Sequence, residues 1–241
     1  MSVITKKTKF LSNLILLFVF IIVFSVSFFT ERIVPISIYE NEGYNAIYKG
    51  NTNYKRVSLM FNVYENTQNV NKILDILANK NVKATFFVGG CWADDNEETL
   101  KRIIDSGCEI GNHGYFHKDH TKLSLLDNKK EISDCNQFIQ LAIGIRPVLF
   151  APPSGAYTND TLAACSALGM KTILWSKDTI DWRDKNASLI YSRATKNVKS
   201  GDFILLHPMK ETADALEDIL KYYKNNNLKT VTVSQNLQKE G

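Results

Sequence analysis

The sequence predicts an α/β fold, a (β/α) barrel of about seven units that follows an N-terminal transmembrane helix. Short apolar runs alternate seven times with segments of helical periodicity between residues 56 and 233. This alternation is typical of a parallel sheet, because parallel strands need a crossover connection that is usually a helix. The runs are continuously apolar, as expected for strands that are covered on both faces. Seven such units in a chain of 241 residues favour a small barrel over an open sheet.

The N-terminus predicts a membrane anchor. Lys6, Lys7 and Lys9 precede a mostly apolar run over residues 10–29, which has the ~20 residues that cross a bilayer as a helix. Because basic residues stay on the cytoplasmic side, residues 1–9 would form a cytoplasmic tail and the rest of the chain would lie outside.

A cleaved signal peptide is the alternative interpretation, since the strictly apolar part of the run is short. The one small-x-small pattern is Ser25-Val26-Ser27, and the bulky Phe28 follows it directly, which favours the uncleaved anchor. Both interpretations place the domain outside the cytoplasm, either on a single-pass anchor in the cell membrane or secreted.

Beyond the N-terminal segment, the sequence predicts a linker and then alternating strands and helices. Residues 30–55 are irregular and are interpreted as a linker that leads into a domain over residues 56–241. Apolar runs predict strands at residues 56–61, 84–88, 109–112, 148–151, 171–176, 203–207 and 230–233. Apolar residues at i, i+3 and i+4 spacing predict helices at residues 70–77, 100–104, 126–141, 187–198 and 212–223. A further helix is expected to begin at Thr158 or Asn159, either of which would cap it, and to end at Gly169.

Composition argues against nucleic-acid binding and against a metal site built from cysteines. The net charge of +4, from 29 basic and 25 acidic residues, is too small and too evenly spread for nucleic-acid binding. The four cysteines, Cys91, Cys108, Cys135 and Cys165, have no CxxC or other metal-type spacing. We expect buried thiols at these positions, with a disulfide as the alternative for a domain outside the cytoplasm.

Polar and aromatic residues follow most of the predicted strands. In a (β/α) barrel the functional side chains lie at the C-terminal ends of the strands, where the βα loops converge. The candidates at these ends are Asn62 and Glu65, then His113, Tyr115 and His117, then Pro153 and Ser154, then Asp178, Asp181 and Trp182, and finally His207. Three of the four histidines of the chain are therefore predicted to lie on one rim.

The histidines suggest two kinds of chemistry. His113 and His117 are four residues apart, a spacing that brings two imidazoles to one point, and neutral imidazoles bind zinc well. The alternative is that both are ordinary polar loop residues. His207 follows an apolar strand onto the same rim, where it could act as an acid or base near pH 7 or serve as a buried structural histidine.

Five segments in this order and spacing resemble the polysaccharide deacetylase family (NodB homology domain, carbohydrate esterase 4). They are ATFFVGG (residues 84–90), EIGNHGYFH (109–117), APPSG (151–155), DTIDW (178–182) and ILLHP (204–208). The resemblance covers residues 56–237 and is strongest to the peptidoglycan-directed, sporulation-associated branch.

The resemblance implies a distorted (β/α)7 barrel and a metal-dependent hydrolase that removes acetyl groups from the N-acetylated sugars of peptidoglycan or a similar polysaccharide. In that family an Asp and two His hold a divalent metal, usually Zn²⁺, and here the two His would be His113 and His117. A second Asp takes a proton from the attacking water, and a late His, here His207, protonates the leaving amine. Asp178 and Asp181 would assist catalysis. Tyr115, Pro153, Ser154 and Trp182 would contact the glycan.

The sequence departs from the family pattern at the end of the first strand. Where the family has TFDDG, this chain has Asn62 at the position of the base and Val63 at the position of the metal-binding Asp. An amide cannot act as a base at neutral pH, and general-base catalysis contributes about 10²–10⁴-fold. Ala151 stands where the family has an Arg that pairs with the base, and a buried Arg facing a neutral Asn62 would lack a counter-charge.

Three hypotheses therefore remain open. The chain could be a working hydrolase that recruits a third metal ligand from Glu65 or Asp119. It could be a catalytically inactive barrel that still binds a glycan strand. It could also be an anchored structural protein without a ligand.

Overall fold

Parallel strands surrounded by helices make up residues 44–239, the part of the chain that the computed structural model describes. The predicted cytoplasmic tail, the predicted transmembrane segment and the first part of the predicted linker lie outside the described residues. Between residues 44 and 239, no helix has the length and hydropathy needed to cross a membrane.

The elements alternate along the chain as predicted. The strands are β1 (Arg56–Val63), β2 (Thr85–Val88), β3 (Glu109–Asn112), β4 (Leu149–Phe150), β5 (Lys171–Thr172), β6 (Lys177–Asp178), β7 (Phe203–Leu206) and β8 (Lys229–Thr230). The helices are α1 (Thr67–Asn79), α2 (Gly90–Asp95), α3 (Glu97–Asp105), α4 (Leu125–Ile143), α5 (Asn159–Ala167), α6 (Asp181–Asp184), α7 (Ala187–Thr195), α8 (Lys210–Asn225) and α9 (Val233–Leu237). Short 3-10 helices cover His120–Lys122 and Pro153–Gly155.

The strands form one parallel sheet in the order β5-β4-β3-β2-β1-β7-β6, with β8 paired to the start of β1. The parallel α/β architecture is confirmed, but the sheet is a half-barrel because β5 and β6, at its two ends, do not pair with each other. The predicted distorted (β/α)7 barrel is therefore confirmed in its parallel strands and crossover helices, and it is open on one side.

The opening arises within the predicted strand 171–176, which is divided between the two ends of the sheet. β5 pairs with β4, whereas β6 pairs with β7. Between them, the backbone N–H of Leu174 donates to the carbonyl of Ile47, and that of Ser176 donates to the carbonyl of Phe203. Because the hydrogen bonds of this segment go to different partners, one continuous strand cannot form.

Residues 44–55, called here the leading segment, lie along the open edge. Ile47 forms a parallel bridge with Ile173, just beyond β5, and Lys49 forms an antiparallel bridge with Asp202, just before β7. The Lys49 ammonium is also 3.1 Å from a carboxylate oxygen of the buried Asp202. The leading segment therefore connects β5, at one end of the half-barrel, with the start of β7, the strand next to the other end.

Apolar side chains pack on both faces of the sheet, as the continuous apolar runs predict. An inner cluster includes Met60 and Phe87, whereas Leu59 and Phe61 belong to an outer cluster beneath the helices. Neighbouring residues of β1 thus point to opposite faces, so the end of β1 offers one side chain to the interior and the next to the outer core.

Candidate active site

A cavity of about 410 Å³ opens at the C-terminal ends of the strands, within the size range of small-molecule sites. It is lined by Asn62, Tyr64, Glu65, His113, His117, Ser154, Trp175, Asp178, Trp182, Leu205, His207, Pro208 and Met209. Eight of the residues predicted for the site are in this set. Tyr64, Trp175 and Met209 were not predicted; Trp175 was missed because it lies inside the predicted strand 171–176.

His113 lies in the loop after β3 and is buried at the cavity wall. Its Nδ1 is 2.7 Å from the carbonyl oxygen of Ala151. Since a carbonyl only accepts hydrogen bonds, Nδ1 carries the proton and Nε2 keeps its lone pair. Burial, and then the neighbouring His117, lower the pKa of His113 from 6.5 to about 3, so the imidazole is neutral at pH 7.

His117 meets His113 at the cavity, as their spacing predicted. The two ring centroids are 5.0 Å apart, and the ring of Tyr64 lies 4.9 Å from that of His117 on another side. Burial also lowers the pKa of His117. His117 has a φ of 54°, a left-handed conformation that is uncommon outside glycine. The loop therefore turns sharply to present two neutral imidazoles together.

Side chains from α4 hold this loop in place, and sequence analysis missed them. The Asn112 side chain accepts a hydrogen bond from the Gly114 N–H at 2.7 Å and donates to Asn136 on α4 at 2.8 Å. The buried carboxylate of Glu131 accepts the Phe116 N–H. Glu131 and Asn136 are polar residues on the face of α4 that also carries its buried apolar residues, and this pattern could have revealed them.

His207 is oriented by Asp181, as an acid or base of the predicted type would need to be. Asp181 is fully buried, and its Oδ1 is 2.7 Å from Nδ1 of His207. Its Oδ2 accepts hydrogen bonds from the His207 backbone N–H at 2.6 Å and from the Thr212 hydroxyl at 2.7 Å. Asp181 does not line the cavity, so it positions His207, whose Nε2 is left for a ligand.

Asp178 and Trp182 lie on the wall formed by β6 and the turn after it. Asp178 Oδ1 accepts the Ile180 N–H at 2.7 Å. The Trp182 side chain is 51% exposed although it lines the cavity. This wall therefore offers a carboxylate beside an accessible aromatic face.

The side chains of Asn62 and Val63, at the end of β1, point to opposite faces of the sheet. Asn62 lines the cavity and is 4% exposed, and its enclosed Oδ1 has no hydrogen-bond partner among residues 44–239. Val63 is fully buried in the outer apolar cluster. The interior thus receives an amide, and the outer core receives a valine.

The residues present do not complete a metal site of the family type. Between residues 44 and 239, no three His, Cys, Asp or Glu side chains are grouped so that they could hold a metal ion. Glu65 lines the cavity, where its Oε1 accepts from Asn66. Asp119 caps the 3-10 helix through Thr121 and pairs with Lys122 away from the cavity. Neither predicted third ligand joins the two imidazoles, whereas catalytic zinc is normally held by three protein ligands.

Two residues predicted to contact a glycan lie outside the cavity lining. Pro153 is buried in the 3-10 turn after β4. The ring of Tyr115 lies against Gly90, where a Cβ would come within 2.2 Å of it. Ser154 and Trp182 are therefore the members of this predicted set that line the cavity.

A parallel half-barrel with paired imidazoles and an Asp–His pair on its C-terminal rim belongs to the class of α/β barrel proteins whose sites are built from βα loops. Residues 49–173 match the family model of polysaccharide deacetylases, which is more than half of the chain, and the chain belongs to this family.

Relatives within the family include an uncharacterized protein and a peptidoglycan deacetylase. The uncharacterized protein YlxY of Bacillus subtilis is 35% identical over 189 residues, which are 78% of this chain and 59% of YlxY. The peptidoglycan-N-acetylmuramic acid deacetylase PdaC of Bacillus subtilis is 38% identical over 184 residues, 76% of this chain and 39% of PdaC. The chain therefore spans less than two thirds of the length of both relatives.

A solved structure with a similar fold is that of a family 4 carbohydrate esterase pseudoenzyme from Bacillus anthracis. It has a TM-score of 0.78 and 32% identity, covering 80% of this chain and 69% of that one. A mutant of the same pseudoenzyme is described as having restored enzymatic activity, with a TM-score of 0.78 and 30% identity over 80% of this chain and 71% of that one.

Proposed function

We propose that this chain is a catalytically silent member of the polysaccharide deacetylase family whose cavity binds an amino-sugar glycan of the cell wall. The observation that carries the proposal is the end of β1, where Asn62 replaces the base and the side chain of Val63 packs into the outer core. Ser154 and Trp182, two of the four residues predicted to contact a glycan, line the remaining walls of the cavity.

Hydrolysis of an acetamide needs an activated water and an acid for the amine leaving group. His207, held by Asp181, could supply the acid. Asn62 cannot take a proton from water, and the two imidazoles lack the carboxylate that completes the family's metal site. Loss of the base alone would reduce the rate about 10²–10⁴-fold, before loss of the metal is considered.

Binding requires less of the same cavity. Trp182 offers an accessible ring, and Trp175 and Tyr64 also line the wall. Flat apolar faces of this kind pack against sugar rings, while the buried polar groups beneath them can pair with hydroxyl or amine groups. The name of PdaC specifies peptidoglycan, and the pseudoenzyme from Bacillus anthracis is a precedent for an inactive relative of similar fold.

The proposal includes a location outside the cytoplasm. The basic residues before the apolar run at 10–29 support either a single-pass anchor or a secreted domain. Either arrangement would bring the cavity to the cell wall.

A second candidate is a working hydrolase with a rearranged metal site. The observation that favours it is Glu65, whose carboxylate lines the same cavity as His113 and His117. Movement of Glu65 towards the imidazoles would supply a third ligand. Zinc-dependent release of acetate would distinguish this candidate from silent binding.

Glycan binding can be tested by calorimetry with soluble peptidoglycan fragments. We expect Trp182→Ala to weaken binding about tenfold, because an aromatic contact contributes about 0.5–1.5 kcal/mol beyond its buried area. Leu141→Ala is the matched control, since Leu141 is 80% exposed at the far end of α4. Equal affinity of the wild type and Trp182→Ala, or no binding by either protein, would contradict the proposal.

A further inference from the structure

We propose that the cavity selects amino sugars with a free amine over their N-acetylated forms, so that the chain recognises glycan that has already been deacetylated. This inference rests on the proposed function, because it assigns the ligand of the same cavity. The reaction class that would supply such a ligand is N-deacetylation by an active enzyme.

The charge of the cavity supports a cationic ligand. Glu65 and Asp178 contribute two carboxylates to the wall, and none of the described lining residues is Lys or Arg. The chain as a whole carries a net charge of +4, so the cavity is acidic within a basic protein.

Three polar atoms of the cavity wall are available hydrogen-bond acceptors. One is Oδ1 of Asn62, which is enclosed and has no partner in the described part of the chain. An unpaired buried acceptor is unfavourable and is relieved by any ligand that brings a donor. Nε2 of His113 is a second acceptor, because Nδ1 already donates to Ala151. On Asp178, only Oδ1 has a hydrogen-bond partner among residues 44–239.

A protonated amine matches this set better than an acetamide does. An ammonium group has three donors and no acceptor, so every polar atom it brings can pair with an acceptor of the cavity. An acetamide has one N–H and a carbonyl oxygen that needs a donor. The lining also has donors, among them the N–H groups of the Asn62 amide and the exposed Ser154 hydroxyl, but one acetamide N–H cannot pair with the three acceptors named above.

The aromatic residues of the wall also favour a cationic ligand. Trp182, Trp175 and Tyr64 line the cavity together with the carboxylates. The face of an aromatic ring attracts a cation, most strongly for tryptophan. A glucosamine unit could therefore stack its sugar ring and place its ammonium between an aromatic face and a carboxylate.

The test compares two oligosaccharides of the same length that differ only in the acetylation of their amines. Calorimetry at about pH 6, where the amine is protonated, would measure binding of the glucosamine tetramer and the N-acetylglucosamine tetramer to the full-length chain. We expect the glucosamine tetramer to bind at least about tenfold more tightly, as for one added charge-assisted hydrogen bond. Higher salt should reduce this preference.

The outcomes separate the two proposals. Equal affinity, or tighter binding of the N-acetylated tetramer, would overturn the selectivity and leave glycan binding standing. Failure to bind either tetramer or peptidoglycan fragments would overturn both.

Substitution of the Asp178 carboxylate provides a second test of the selectivity. Asp178→Asn keeps an acceptor for the Ile180 N–H and removes the charge; we expect about tenfold weaker binding of the glucosamine tetramer and less than twofold change for the acetylated one. Asp218→Asn, on the exposed face of α8, removes a charge elsewhere and should change neither. Equal weakening of both ligands by Asp178→Asn would contradict the inference. Glu65→Gln repeats the comparison at the second carboxylate should Asp178→Asn not fold.

Discussion

At the end of β1, Asn62 and Val63 stand one residue apart and lie in different environments. Asn62 faces the cavity with an unpaired oxygen, whereas Val63 is fully buried with the outer apolar side chains. The cavity thus receives a neutral amide at position 62, whereas the side chain at position 63 contributes packing to the outer core. Nδ1 of His207 lies 2.7 Å from the Asp181 carboxylate, so this imidazole is held in place at the cavity wall.

The protonation of His113 predicts how stability depends on pH. The pKa of His113 is lowered from 6.5 to about 3 in the folded protein, so the unfolded chain takes up a proton that the folded chain excludes between these values. The free energy of unfolding should therefore fall as pH drops below about 6.5, by about 2 kcal/mol from this residue between pH 7 and pH 5.

Urea denaturation of the wild type and His113→Asn at pH 7 and pH 5 measures this contribution. The variant should lose less stability than the wild type over the same interval. If both proteins lost the same amount, His113 would not be held neutral by burial.

At the scale of elements, the site depends on short strands that bring their loops to one rim. Gly111 of β3 pairs with Phe87 of β2, and the Phe87 ring lies where a Cβ of Gly111 would be, with the nearest ring atom at 2.4 Å. The glycine in the motif EIGNH thus allows the inner aromatic side chain to pack across the strand pair. The next residues, Asn112 and His113, begin the imidazole-bearing loop.

Gly111→Ala should lower the free energy of unfolding by about 1–3 kcal/mol, because the added methyl group overpacks the interior. Denaturant titration measures the change. Phe87→Leu shortens the opposing side chain, so the double variant should be destabilised by less than the sum of the two single variants. Strict additivity would show that the two positions do not compete for space.

Much of the rim could be predicted because strand ends converge in any parallel barrel. The apolar runs located the ends, and His113, His117 and His207 do meet in one cavity. The hydrogen bond from His207 to Asp181 could not be predicted, since it joins residues that are 26 positions apart. The division of the strand at 171–176 was missed because apolar character does not specify which backbone neighbour a residue pairs with.

At the scale of the whole molecule, the half-barrel is held together across its open edge by the leading segment. The Ile47 N–H donates to the Thr172 carbonyl, the Leu174 N–H donates to the Ile47 carbonyl, and the Gly50 N–H donates to the Gly201 carbonyl. These bonds join the sides of the sheet that carry β5 and β7. Since the cavity has walls on both sides, its shape depends on this connection.

A chain that begins at residue 51 should therefore be less stable than one that begins at residue 44. Loss of these backbone hydrogen bonds should lower the free energy of unfolding by about 2–3 kcal/mol, at about 1 kcal/mol for each bond. Lys49→Ala in the longer chain is the control and should cost under about 1 kcal/mol, because its ammonium is half exposed. Equal stability of the two truncated chains would show that the leading segment does not hold the edge.

The measurement that tests the central claim most directly is acetate release from peptidoglycan in the presence of zinc. PdaC serves as the positive control on the same substrate, and His207→Ala serves as the negative control in this chain. We predict that the wild type releases no more acetate than His207→Ala, because the amide of Asn62 cannot act as a base and, among residues 44–239, no carboxylate is grouped with His113 and His117 to hold a metal ion. Zinc-dependent release by the wild type that is lost in His207→Ala would contradict this account and establish the chain as a working deacetylase.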